Sequence, residues 1–208
     1  MKILVLFLLT VCGTCAFAQS FFGVNAGINV ANQRQHINWS NGDVNTYFFQ
    51  NSVRPTFGLF YQYGFNEKMG LRLNVQYMGL GYKNESLYSL YVGSYVIHKL
   101  DIDYLTLPLT FHYSVNKHLS LNAGPYLSFT LGGTQINNEP ITETYHHNDH
   151  GFSFGGEHDL YKNFALGINY FIGTMNIWLH DSDANGTTKY TNRALQFAVI
   201  YKFKKKTN

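Results

Sequence analysis

Residues 22–30 alternate strictly, with Phe22, Val24, Ala26, Ile28 and Val30 at even positions and Gly23, Asn25, Gly27 and Asn29 at odd ones. A period of two places the two sets on opposite faces of an extended strand. The pattern recurs along the chain. Phe57, Leu59, Tyr61, Tyr63 and Phe65 oppose Thr56, Gly58, Gln62 and Gly64, with Phe60 as the exception, and Leu71, Leu73, Val75 and Tyr77 oppose Arg72, Asn74 and Gln76. Leu105, Leu107, Leu109, Phe111 and Tyr113 oppose Tyr104, Thr106, Pro108, Thr110 and His112. Residues 119–129, 152–160, 164–172 and 195–203 continue the series, the second of these more weakly because His158 interrupts its apolar face. Helical periodicity is sustained nowhere. The chain is therefore all-β, with about eight strands near the length that crosses a bilayer when tilted.

The connections add topology. Those at residues 66–70, 116–118 and 161–163 are tight, whereas the alternate ones, near 32–52, 83–99, 132–150 and 173–192, are long. Short turns at one end and long loops at the other describe an eight-stranded antiparallel up-and-down transmembrane β-barrel of the outer-membrane type. Charged residues are only 13% of the chain and aromatics reach 17%, with 19 glycines, so a water-facing exterior would be short of charge. A soluble lipocalin-like barrel, with the apolar face inside, is the alternative. Small polar residues and glycine opposite the aromatic face favour the inverted arrangement, and the aromatics collect at the strand ends as two girdles. The net charge of +3 is spread along the chain and gives no footprint for nucleic acid.

Pro108 lies in the middle of an alternating run, where a proline removes a ladder donor. Folding the chain back about Lys117 brings it close to opposite Pro125, so one shared bulge is expected there, with a separate irregularity at each proline as the alternative.

At the N-terminus, Lys2 precedes the apolar run 3–11, followed by Ala16-Phe17-Ala18 and Gln19. The pattern is that of a secretory signal peptide over 1–18, cleaved between Ala18 and Gln19, leaving one domain over 19–208. A lipoprotein reading through Cys12 or Cys15 ranks second, because Val11 and Thr14 precede them. Both cysteines leave with the signal, so the domain is expected to have no disulfide framework and no thiolate metal site.

The segment Tyr104-Leu105-Thr106-Leu107-Pro108-Leu109, followed by Tyr113 and then Gly124-Pro125-Tyr126-Leu127, resembles the PorT-like outer-membrane β-barrel proteins of Bacteroidetes. That resemblance implies an outer-membrane location and an accessory place in a secretion or envelope-assembly system. The last aromatic strand, 195–203, looks like a signal to the outer-membrane assembly machinery. The run Lys204-Lys205-Lys206 after it reads as a solvated tail.

A barrel of about eight strands is just filled by its side chains, so no large pore is expected. Arg72, Gln76, His112, Glu157, Asp159, Gln196 and Lys202 should form a mutually satisfied polar interior. His146, His147, Asp149 and His150 are the weak metal candidates, at a spacing that fits no established zinc pattern. The His112-Tyr113-Ser114 pair superficially resembles a lipid A deacylase, but parity turns His112 inward near a short turn, and the chain has no Gly-x-Ser-x-Gly elbow. No cofactor and no catalysis are expected. The long loops, with Trp39, Tyr88, Tyr91, Tyr95 and Trp178 among polar residues, suit recognition of an extracellular protein or glycan by a monomeric barrel held in outer-membrane lipid.

Overall fold

The computed structural model describes residues 20–89, 94–131, 135–136, 139–140, 148–177, 182–183 and 186–203. The signal-cleavage pair Ala18 and Gln19, the candidates His146 and His147, Trp178 and the lysine tail lie outside them. Strands follow one another as β1 (Phe21–Trp39), β2 (Val44–Phe48), β3 (Gln50–Gly64), β4 (Met69–Ser89), β5 (Ser94–Ser114), β6 (Leu119–Thr130), β7 (Gln135–Ile136), β8 (Glu139–Pro140), β9 (Asn148–Tyr161), β10 (Phe164–Gly173), β11 (Ser182–Asp183) and β12 (Gly186–Phe203). Eight of them are staves, paired antiparallel in the order β1-β3-β4-β5-β6-β9-β10-β12, and β12 pairs back onto β1. The ring of eight staves has no free edge, which is what lets spanning strands satisfy their backbone groups in lipid.

The pleat decides inside from outside. Outward positions such as Phe22, Leu59, Leu71, Leu109, Phe111, Leu121, Phe152, Leu166, Ile168 and Val199 are exposed. Inward positions such as Asn29, Thr56, Arg72, Gln76, Thr106, His112, Asn122, Ser153, Glu157, Gln196 and Lys202 are buried. Apolar outside and polar inside is the membrane-barrel arrangement, and the lipocalin-like alternative is the reverse of it. Aromatic side chains at the short-turn end contact one another in groups: the Phe22 and Tyr61 ring centroids lie 4.8 Å apart, and that of Tyr201 lies 4.9 Å from those of both Phe164 and Phe203.

Two of the tight turns are built alike. Asn66 Oδ1 accepts from the amides of Lys68 and Met69 at 2.8 Å each, and Asn116 Oδ1 accepts from those of His118 and Leu119 at 2.8 and 2.9 Å. An asparagine side chain that caps its own turn closes a hairpin without help from packing. In the third, Lys162 takes a positive φ of 49°.

The expected shared bulge at the two prolines is not present. Pro108 stands opposite Tyr126, and the β5–β6 register runs unshifted from Tyr104↔Thr130 to Ser114↔Ser120, lacking only the bridges of Leu109 with Pro125 and of Thr110 with Gly124. On its other side β5 loses its bridges to β4 around Pro108, between Leu73↔Leu109 and Gln76↔Thr106. Each proline thus interrupts a different ladder, and no residue is inserted.

The long connections also differ from expectation. Three of the four expected long loops prove to be largely strand, because β1 continues to Trp39, β4 and β5 run out to Ser89 and Ser94, and β12 begins at Gly186. The β1–β12 ladder alone holds 18 residue pairs.

Candidate functional site

The interior is stacked in layers. Nearest the short turns, Arg72 of β4 forms a two-pronged ion pair with Glu157 of β9, its Nη2 at 3.0 Å from Oε2. Gln62 Oε1 accepts from Arg72 Nε at 3.0 Å and from Nη2 at 2.7 Å. The Phe60 ring lies under the guanidinium, 4.1 Å from ring centroid to Cζ, and meets Phe21 edge to face. This explains the break in alternation at Phe60: the ring belongs inside, as a platform for a buried cation. Lys202 Nζ reaches Glu157 Oε2 at 3.3 Å and Asp159 Oδ1 at 2.5 Å. Two cations and two carboxylates therefore cancel, and five of the seven residues expected to form a polar interior, Arg72, Glu157, Asp159, Lys202 and His112, gather in this layer. His112, buried, is hydrogen-bonded at Nε2 to Thr110 Oγ1 at 3.1 Å.

Above it lies an uncharged polar layer. Gln196 Nε2 donates to Thr56 Oγ1 at 3.1 Å, Asn29 Nδ2 donates to the Gly79 carbonyl at 3.1 Å, and Thr106 and Ser128 share a hydrogen bond of 2.8 Å. The cavity left between these two layers holds only about 20 Å³, enough for a single water.

The third layer went unanticipated. Met78, Leu80, Tyr82, Leu100, Ile102, Tyr104, Tyr126, Phe171 and Ile177 form a buried apolar plug across the long-loop half of the barrel, joined by Phe49 and Tyr190. Phe49 stacks on Tyr82 at 4.3 Å between centroids. Beneath the plug Asp149 Oδ2 accepts from Asn192 Nδ2 at 3.0 Å and from the Tyr126 hydroxyl at 3.4 Å. Of the segment read from sequence, Tyr104, Pro108 and Tyr126 face inward and are buried, Pro125 is exposed on the outside, and Leu105 is half-buried there. At Gly124 an added Cβ would meet the Leu109 carbonyl oxygen at 2.0 Å, so the two strands approach there as only glycine permits.

Asp149 and His150 do not converge: the carboxylate is buried within the barrel and the histidine is exposed outside. Among the described residues no cluster of His, Cys, Asp and Glu could hold a metal ion.

Among the described residues two surfaces are open to a partner. At the short-turn end a hollow of about 390 Å³ is lined by the turn residues and floored by Arg72, His112, Asp159 and Lys202. At the other end the β1–β2 hairpin carries exposed Trp39, Val44, Tyr47 and Phe48. Sequence reasoning singled out Trp39 there but not its neighbours on β2, whose residues lie in a stretch read as loop.

Residues 17–178 match the family described as outer membrane protein beta-barrel domain. Among solved structures the chain is similar to Neisserial surface protein A, with 17% identity over 88% of this chain and 97% of that one and a TM-score of 0.51. It is also similar to the outer membrane protein OprG from Pseudomonas aeruginosa, with 13% identity, coverages of 91% and 98% and a TM-score of 0.49. A third is the E. coli outer membrane protein W, with 11% identity, coverages of 89% and 98% and a TM-score of 0.41. No curated protein matches the sequence. With a closed barrel, an apolar exterior and a match over most of its length, the chain belongs to the outer membrane protein beta-barrel domain family and resides in the outer membrane.

Proposed function

We propose that this is a recognition barrel: a non-catalytic anchor whose work is done by the strands it raises above the extracellular leaflet. The observation that carries the reading is the reach of β1 and β12. Outward apolar pairs end at Val30↔Leu195, yet nine further pairs follow, from Ala31↔Ala194 to Trp39↔Gly186. At about 3.3 Å per residue this adds roughly 30 Å of paired strand. A barrel that served only to fill its membrane would have no use for such an extension.

On it, β2 pairs with β1 through Arg34↔Phe48 to Asn38↔Val44 and displays Tyr47 and Phe48 at 53% and 69% exposure. Rigid aromatics among Asn, Gln, Thr and Tyr residues favour contact with a protein or a glycan. The layered interior favours the same reading, since it leaves no room for a solute.

A second reading, an accessory component of secretion or envelope assembly, draws on the PorT-like resemblance and on the periplasmic hollow, where a partner's side chains could enter. A deletion strain complemented with the natural chain or with Trp39→Ala/Tyr47→Ala/Phe48→Ala separates the two. Loss of surface adhesion with the triple variant supports recognition. Loss of secreted proteins in the deletion strain, restored by the triple variant, supports the accessory role.

A further inference from the structure

The outer face of β1 and β12 changes character within one step of the pleat. From Phe22↔Phe203 to Val30↔Leu195 every outward pair is apolar. The next outward pairs are Asn32↔Arg193, Arg34↔Thr191, His36↔Lys189 and Asn38↔Thr187. Two residues along a strand advance about 7 Å, and neighbouring strands stand about 5 Å apart. Arg193, Arg34 and Lys189 therefore form a compact cationic patch on one outward face, beginning where the apolar band stops. The adjoining staves stop at the same level: Val53 of β3 faces Val30, and Ile172 of β10 faces Arg193.

Among the described residues no carboxylate forms an ion pair with Arg34, Lys189 or Arg193, whereas Arg54 is held by Asp101 at 3.0 Å and Asp103 at 2.7 Å. The Arg34 guanidinium lies over the Phe48 ring at 5.8 Å, and its Nε is buried without a hydrogen-bond partner. The acidic residues of the neighbouring short strands and turn, Asp43 and Asp183, are at the outer tips, near Trp39 and opposite Gly186.

Because the protein resides in the outer membrane, the medium touching this face just above Val30 and Leu195 is the headgroup layer of the outer leaflet. We propose that Arg34, Lys189 and Arg193 bind the phosphorylated sugar headgroup of an outer-leaflet glycolipid, with Ile28, Val30 and Val53 below them against its acyl chains. Guanidinium and ammonium groups in this arrangement recognise phosphate oxygens, and the apolar staves beneath distinguish a lipid from a soluble anion.

The test uses the full folded chain in mild detergent micelles, with retention of bisphosphorylated lipid A and of its dephosphorylated counterpart read by native mass spectrometry. The phosphorylated form should be retained at least about tenfold better, with the preference shrinking as salt rises. Arg34→Gln/Lys189→Gln/Arg193→Gln should remove the preference, while Lys68→Gln/Lys117→Gln at the periplasmic turns should keep it. Heat-modifiability on a gel checks that each variant is folded. If the triple variant fails that check, the three single substitutions are compared, each expected to weaken retention about fivefold. Equal retention of both lipids, or an unchanged preference in the folded variants, overturns the proposal. Competition by millimolar inorganic phosphate also overturns it, since the site would then serve a soluble anion.

Discussion

Arg72 and Glu157, 85 residues apart in the chain and on staves that do not pair with each other, are joined inside the barrel by two charge-assisted hydrogen bonds. The pair ties the walls together where no backbone ladder can. Both side chains are almost fully buried, so removing Glu157 leaves the Arg72 guanidinium in the interior without a carboxylate, whereas Glu157 has a second cation in Lys202.

Glu157→Ala leaves Arg72 buried with no carboxylate partner, while Lys202 keeps Asp159, and we expect it to destabilise the barrel by about 3–5 kcal/mol. Replacing the pair together, as Arg72→Met/Glu157→Leu, should cost clearly less, because no orphan charge of the pair remains. Urea unfolding in micelles, followed by tryptophan fluorescence and gel mobility, measures both. Equal losses would mean that the pair is valued for something other than charge compensation.

Phe60→Leu removes the ring beneath the Arg72 guanidinium and keeps an apolar side chain. A loss of about 1–2 kcal/mol is expected, from the ring contact and its edge-to-face partner Phe21. Gly23→Ala should act through the same contact, since its Cβ would lie 2.1 Å from Phe60 Cζ. If the two substitutions prove fully additive, the ring and the glycine are not coupled as the geometry requires.

Pro125 faces outward, and its missing donor falls where the β5–β6 ladder lacks its bridge to Leu109. Pro125→Val supplies an N–H toward that carbonyl while keeping an apolar surface, so stability should rise by about 0.5–1.5 kcal/mol. A fall would show that the proline is needed to set the curvature of the wall.

Gly81 adopts a φ of 147°, and an added Cβ there would meet the Leu100 carbonyl oxygen at 1.9 Å. Gly81→Val should destabilise by about 2 kcal/mol or more, because backbone strain and a backbone clash add. Proteolysis of intact cells should show whether the damage is confined to the β4–β5 extension, whose outer end should be cut first.

The lipid-crossing part of the fold was legible because lipid touches one face of each strand and enforces alternation. Val24 against Asn25 and Leu71 against Arg72 are unmistakable. Above the membrane that constraint vanishes: in β1, Asn32, Gln33, Arg34, Gln35 and His36 are polar on both faces, so a strand reads as a loop. The plug escaped for a related reason. Leu80, Leu100 and Ile102 point inward where the alternation is inverted, since in β5 the apolar Leu100 and Ile102 are buried in the barrel and the acidic Asp101 and Asp103 alternate with them. The polar layer around Arg72 was legible from parity alone, whereas its pairing with Glu157 needed the register of the whole barrel. For the prolines, counting back from Lys117 placed Pro108 within one residue of its partner. The bulge was an extra supposition, and the continuous register shows that the barrel absorbs two missing donors without one.

The account rests on a sealed interior: a neutralised charge layer, an uncharged polar layer with about 20 Å³ of free volume between them, and an apolar plug above. The most direct test is the ion conductance of the purified, folded barrel in a planar bilayer with molar salt. The account predicts a quiet trace with no discrete steps. Stable, reproducible single-channel steps would contradict it and would move the protein's function from its outer strands to its lumen.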